Sequence, residues 1–351
     1  MKFKTAALIF FIFFSFLSLS SQAQSGGLGT YSFLNLSNSA RMASLGSTTL
    51  SVWDNDISLA LFNPSLITPK MDNSMALSFV KYFAGINYGV AAYSKTFEKY
   101  GSFTAGMQYI NYGRFTSADA TGETNGTFTA GDYALILGWG RQLDSSFSIG
   151  ANLKNIYSDL SEYHSYGIAV DVSGTYHSKK NFCTSLIFKN IGRQIVKYRD
   201  GESENLPFEI QLSLSKKLEK APIRFFVVGE NLQKYDLTYT EPQYAQPTTD
   251  QLTGAVLPQH KGLKQLDKFF RHVVAGAEFS PSKNICLSLG YNYRRSREMR
   301  VPSKVSTVGF SWGLSVRVSK FKFGYARSAY HLAGSPNNIT ITTNLSDFIK
   351  K

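Results

Sequence analysis

Several residue groupings have the spacing of reactive chemistry. Gly309-Phe310-Ser311-Trp312-Gly313 matches a nucleophile elbow, which requires its serine on a sharp strand-to-helix turn. Ser78-Phe79-Val80-Lys81 and Ser213-Leu214-Ser215-Lys216 match the Ser-x-x-Lys pattern of penicillin-binding proteins, but the companion Ser-Asp-Asn and Lys-Thr-Gly motifs are missing from the sequence. His164, His177, His260, His272 and His331 show no metal-ligand spacing. A phosphate-cradling glycine loop is also missing. One basic cluster remains: Arg294, Arg295, Arg297, Arg300 and Lys304, with Glu298 as its only acid. Such a patch suits phosphates of surface lipopolysaccharide or an acidic partner; its plainer reading is a solvated loop.

The elements that would carry these motifs are strands. Over residues 307–319, Val308, Phe310, Trp312, Leu314, Val316 and Val318 alternate with Thr, Gly, Ser and Arg. This period of two predicts a long strand, with Ser311 in its interior and no elbow. The Ser-x-x-Lys matches fall in strands as well. Phe208, Ile210, Leu212 and Leu214 repeat the alternation, as do Ile285, Leu287, Leu289, Tyr291 and Tyr293, and Phe147, Ile149, Ala151 and Leu153. Strand starts are expected near Ser74, Ile86, Gly101, Tyr133, Phe147, Tyr163, Asn181, Pro207, Ile223, Arg271, Ile285, Thr307, Phe321 and Asn338, about 14 in all. The even-numbered connections are tight, centred on Lys99, Asp144, Lys179, Glu219, Lys283 and Lys320. The long ones are odd-numbered, over residues 114–132, 191–206, 233–270 and 296–304. Short turns on one side and long loops on the other mark an outer-membrane barrel; a soluble sandwich has no reason to segregate them.

Composition agrees. The 351 residues are 43% hydrophobic and 14% aromatic but only 17% charged, with a net charge of +13. Disorder is disfavoured, two cysteines cannot staple a chain of this length, and beyond the N-terminus there is no run of 18 apolar residues for a helical span. Lys2 and Lys4, an apolar run from residue 6 to 19, and Ser21-Gln22-Ala23 before Gln24 read as a cleaved signal peptide over residues 1–23; a single membrane anchor is the competing reading. The rest divides into a plug over residues 24–73 and a barrel over 74–351. Phe, Leu, Val and Trp rows should face lipid. Ser, Gly, Thr and Asn rows should face a lumen with room for the plug, where Ser39 is a candidate N-cap for a short helix over residues 39–43. Ile136, Phe226 and Val228 fall on lumen rows and keep open an apolar pocket inside. The fold class is thus all-β: a transmembrane antiparallel barrel of about 14 strands with an N-terminal plug.

The same residues carry a family resemblance. Tyr31-Ser32-Phe33-Leu34-Asn35-Leu36, Ser39-Ala40-Arg41, Leu45-Gly46, Asp54-Asn55-Asp56 and Asn63-Pro64-Ser65-Leu66 resemble the start of the PorV/PorQ family of type IX secretion system barrels, which are similar in fold to FadL-type fatty-acid transporters. The PorQ side of the family is matched further by residues 109–115, Phe128-Thr129-Ala130-Gly131-Asp132-Tyr133, Asn190-Ile191-Gly192, Leu206-Pro207-Phe208-Glu209-Ile210, Ala221-Pro222-Ile223 and Asn231-Leu232-Gln233. Ser65 departs from the Ala often found after Asn-Pro. The resemblance implies a non-enzymatic barrel without cofactor in the outer membrane of a Gram-negative bacterium. It would anchor a PorZ-like surface protein and, through it, a sortase-like peptidase and a PorV-like barrel, in a complex joining cargo to anionic lipopolysaccharide. A FadL-like transporter of hydrophobic molecules is the alternative; nucleic acid is not an expected partner.

Site expectations follow. Tyr235, Tyr239, Tyr244 and Leu257 on the longest loop are candidates for partner docking, since aromatic residues concentrate at interface cores. Arg294, Arg295, Arg297, Arg300 and Lys304 would flank them. Ser39, Arg41, Asn63 and Pro64 belong to the plug. The short turns should face the periplasm. Cys183 and Cys286 fall on lumen rows of strands four apart, too far to bond.

Overall fold

A computed structural model describes residues 29–119, 121–199, 203–238, 261–299, 307–331 and 334–349. Fourteen antiparallel strands close into a barrel, β1 pairing with β14 from Ser74↔Asn344 to Lys81↔Asn337. They are β1 Ser74–Lys81, β2 Asn87–Phe97, β3 Gly101–Ala118, β4 Thr124–Gln142, β5 Phe147–Leu160, β6 Tyr163–His177, β7 Phe182–Val196, β8 Glu209–Lys217, β9 Ile223–Gly229, β10 Val273–Phe279, β11 Ile285–Asn292, β12 Phe310–Val318, β13 Phe321–Ser328 and β14 Asn337–Asn344. Closure pairs each strand on both sides, as hydrocarbon surroundings require of backbone that has no water to bond.

The alternation sets the two faces as expected. Phe310, Trp312 and Leu314 are exposed on the outer face, while Ser311 and Gly313 are buried. Leu77 and Phe79, Leu135 and Leu137, and Phe225 and Val227 extend the outer apolar belt. Such a belt on a closed barrel is a lipid-facing surface. Ser311 lies inside β12 with its hydroxyl buried and without a hydrogen-bond partner among the described residues. The serine of the elbow spacing therefore sits on no strand-to-helix turn.

Loop parity holds on one side only. The even connections contain five residues or fewer and define a turn end. At the opposite, loop end the expected loop over residues 114–132 is mostly strand. β3 and β4 continue past the apolar belt and pair from Ser102↔Gly140 to Ala118↔Thr124, with a bulge between Asn111 and Gly113. β4 therefore starts at Thr124 and not near Tyr133. The polar tip is held by ladder bonds, which need no apolar alternation, and by Phe115 and Phe128, stacked with centroids 5.3 Å apart. The strand expected from Thr307 starts at Phe310, after a turn through Gly309 at φ +96°. Within the expected loop over residues 233–270 lies α3 (Lys261–Phe270), and α4 (Tyr293–Glu298) begins before the expected loop over 296–304, ending β11 one residue short of Tyr293. The Asn292 side chain caps α4 by accepting from the Arg295 N–H at 3.0 Å. Two short helices precede the barrel, α1 (Ala40–Ser44) and α2 (Ile57–Ala60).

Candidate functional site

Residues 30–71 run along the inside of the wall, and the small lumen rows are shaped to them. At Gly150 on β5 a Cβ would collide with the backbone of Pro64 and Ser65, and at Gly290 on β11 with the backbone of Leu45 and Gly46. No other residue type lets two main chains approach so closely. Polar wall side chains then satisfy this irregular backbone. The Ser148 hydroxyl donates to the Ser65 carbonyl at 2.6 Å, Asn152 to the Leu61 carbonyl at 2.8 Å and Ser215 to the Ser51 carbonyl at 2.6 Å. The Ser65 and Ala40 N–H groups donate to Ser173 and Thr340 at 2.9 and 2.8 Å. Buried backbone polar groups require such partners. The segment adds its own apolar side chains, Leu34, Leu50, Leu59, Leu61, Leu66 and Ile67, to Ile136, Ile156, Phe226 and Val228 of the wall. Ile136, Phe226 and Val228 thus line packed core, not an empty apolar pocket.

The four segment residues singled out from sequence take different parts. Ser39 precedes α1, but its hydroxyl bonds Ser58 at 3.0 Å and caps nothing. Asn63 donates to the Ser185 hydroxyl at 3.1 Å, and Pro64 opens a single helical turn, Pro64–Leu66. Arg41 is the hub of an ion cluster near the turn end. It meets Asp54 at 2.8 Å, Asp56 at 3.0 Å and Glu278 of β10 at 2.6 Å. Arg224 of β9 joins Asp54 to Glu278, and Lys322 of β13 reaches Asp56 at 3.0 Å. Burial works against the Asp56 charge, yet Lys322 and Arg41 hold its carboxyl well below the usual range. Sequence reasoning named Arg41 but not its partners, nor Lys154 of β5, which pairs with Asp171 of β6 at 2.8 Å, both almost fully buried. A charged residue on a small-residue lumen row was the available signal.

Cavities remain around this filling, three of them among the described residues. One of about 760 Å³ opens at the turn end. Another of about 450 Å³ lies at the loop end between Tyr31, Tyr112, Asp132, Gln194 and Tyr198. The third, about 230 Å³, lies among Lys189, Glu209, Glu230 and Arg295. Each is lined by a mixture of charged, polar and apolar groups. Cys183 and Cys286 are both free thiols.

The loop-end arginines are separately engaged. Arg294 approaches Glu230 at 3.9 Å, and Arg297 meets Asp267 at 3.0 Å. Arg295 turns inward, donating to the Gly46 carbonyl at 3.3 Å, with its guanidinium 3.9 Å from the Tyr330 ring centre. Tyr235 is 68% exposed and its hydroxyl donates to Gln265 of α3. Arg300, Lys304, Tyr239, Tyr244 and Leu257 lie outside the described residues, as does the expected signal peptide.

No protein-family model and no curated protein matches the sequence. Solved structures do. The toluene transporter TodX of P. putida is 12% identical, covers 89% of this chain and 99% of its own, and has a TM-score of 0.50. A Pseudomonas aeruginosa FadL homologue is 10% identical over 88% of this chain and 98% of its own, with a TM-score of 0.46. The toluene transporter TbuX of Ralstonia pickettii is 11% identical over 89% and 98%, with a TM-score of 0.45. At these identities the likeness is one of fold, and TodX carries it: the chain shares the barrel fold of that transporter.

Proposed function

We propose that this chain is a non-enzymatic outer-membrane barrel whose lumen is sealed by its own N-terminal segment, and that it serves as an anchor and not a conduit. The observation that carries this reading is the seam along Gly150 and Gly290, where segment backbone lies directly on wall backbone. A moving plug would have to strip that contact and its hydrogen bonds together. The family resemblance of the sequence supplies the specific role: residues 24–73 as plug, export by a cleaved signal peptide, and the loop end holding a PorZ-like surface protein of the type IX secretion attachment complex. Tyr235, the rest of residues 233–270, and Arg294 and Arg297 of α4 are the proposed docking surface, with lipopolysaccharide or an acidic partner as the arginines' ligand. The test is a pull-down from gently solubilised outer membrane, together with trimming of residues 241–259. Loss of a surface partner and of cargo attachment, with the barrel still assembled, supports the anchor. An unchanged surface proteome refutes it.

The second reading is a transporter of hydrophobic molecules. Among the comparisons it stands ahead, because TodX, the solved structure whose fold this chain shares, is a toluene transporter. The charged groups in the linings of these three cavities count against it, since small-molecule sites are mostly apolar with few polar groups. Uptake of labelled toluene or oleate by cells expressing this barrel, above that of cells without it, would establish transport.

A further inference from the structure

Two pairs of like charges face each other across neighbouring strands at the turn end. Lys217 of β8 is the register partner of Arg224 of β9, and Arg317 of β12 that of Lys322 of β13. All four lie on lumen rows, in step with buried Ser215, Phe226, Gly313 and Ala326, and all four line the cavity of about 760 Å³. Like charges directly opposite destabilise a sheet. Arg224 and Lys322 are offset by the Arg41 cluster. Lys217 and Arg317 have no acidic group within 4 Å among the described residues, and neither do Lys70, Lys283 and Lys320. Eight basic side chains against four acidic ones line this cavity. A concave wall of low dielectric focuses such an excess.

We propose that this turn-end cavity binds a carboxylate-rich peptide segment arriving from the turn side. The spacing of the cations selects an extended ligand over a compact one. The two repulsive pairs are four strand steps apart, as are Lys217 on β8 and Arg317 on β12, about 19 Å along the wall at about 4.8 Å per step. Acidic side chains on alternate residues of an extended segment cover that span in about six or seven residues, whereas a single phosphate reaches one pair only. A lipid headgroup is held in the leaflet outside the wall and does not enter the lumen. The proposal is independent of whether the loop end anchors a partner or the barrel transports.

The experiment uses the full-length barrel in detergent and a fluorescein-labelled hexaglutamate peptide, read by anisotropy. Wild type should bind saturably. K217Q/R317Q should bind at least tenfold more weakly. K179Q/K180Q, which removes the same charge from a turn whose lysines do not line the cavity, should match wild type. Equal weakening in both variants, or no saturable binding by wild type, overturns the proposal. So does pyrophosphate displacing the peptide at equal concentration, which would make the ligand a small phosphate. Folding provides an independent readout: free of ligand, K217Q/R317Q should melt no lower than wild type, because repulsion is relieved. A lower melting temperature means that the two cations are structural, and overturns the proposal as well.

Discussion

The barrel has a tall wall and a low wall. β3 to β7 are 14 to 19 residues long, whereas β8 to β14 are seven to nine. A tilted span of the hydrocarbon needs about 9–11 residues, so the tall wall continues beyond it at the loop end, and the tips of β3 and β4 are largely exposed on both faces. The low wall stops near the belt and is topped by α3 and α4, tied by Asp267 to Arg271 and Arg297. The N-terminal segment bonds to both walls by different means. Against the tall wall it lays backbone on glycine and serine, and beside them sits the buried Lys154–Asp171 pair. Against the low wall it is also held by the Arg41 cluster, whose charges are shared among six groups. The tall wall thus pairs its deepest cation one to one, Lys154 with Asp171, whereas the low wall's cluster shares its charge among several groups.

The largest expected effect tests that contrast. Lys154→Met leaves Asp171 buried without its cation and should cost about 3–5 kcal/mol, the cost of breaking a buried pair on one side. Arg41→Met should cost less, since Arg224 still meets Asp54 and Glu278 and Lys322 still meets Asp56, leaving none of the three carboxylates without a cation. Urea unfolding in detergent, read by heat-modifiability on gels, measures both. Equal losses would erase the distinction between concentrated and shared charge.

Next come Gly150→Val and Gly290→Val, one on each wall. Both put a side chain into segment backbone that cannot rotate away, and overpacking of this kind costs about 1–3 kcal/mol. A variant at either position as stable as wild type would show that the segment yields there. A smaller effect belongs to the tip of the tall wall. Phe115→Ala removes the stack on Phe128 and should cost about 1 kcal/mol or less, with the barrel intact in the same assay.

The two walls also differ in how far sequence reveals them. On the low wall, apolar alternation and tight turns such as Ser319-Lys320 locate every strand to within a few residues. On the tall wall, Thr124-Asn125-Gly126-Thr127 reads as loop because nothing apolar alternates. There the ladder itself supplies the order, and a ladder has no compositional mark once both faces meet water. The interior is legible in outline only. Small lumen rows announce that something fills them, and Arg41 stands out in the segment before the barrel. Its partners Arg224, Glu278 and Lys322 lie more than 180 residues away, however, and only closure of the barrel brings them together. Ser39 shows the limit of local rules: it stands where a cap should, but a nearer hydroxyl, that of Ser58, takes its hydrogen bond.

The smallest effect separates the two tops by pH. Asp236 receives the Lys268 ammonium of α3 at 2.7 Å and the Thr238 N–H at 2.9 Å. Slight burial works against its charge, but these partners prevail and hold the carboxyl at about 2. A depressed carboxyl contributes stability above its ordinary value, near 4, and loses it as pH falls toward about 2. Across that window α3 should loosen from residues 231–238 while the barrel stays closed. Asp119, at the tall tip, is also held low, chiefly by the Thr121 hydroxyl and then by the Glu123 and Thr121 N–H groups. All its partners lie within its own five-residue turn, so its protonation should release no other element. Hydrogen exchange at pH 4.5 and pH 2.5, corrected for intrinsic rates, should show faster exchange in α3 at the lower pH and no change in β3 below residue 116. In Asp236→Asn the pH step in α3 should vanish. If the step persists in that variant, the low wall's helix is held by Asp267 and its arginines, not by Lys268.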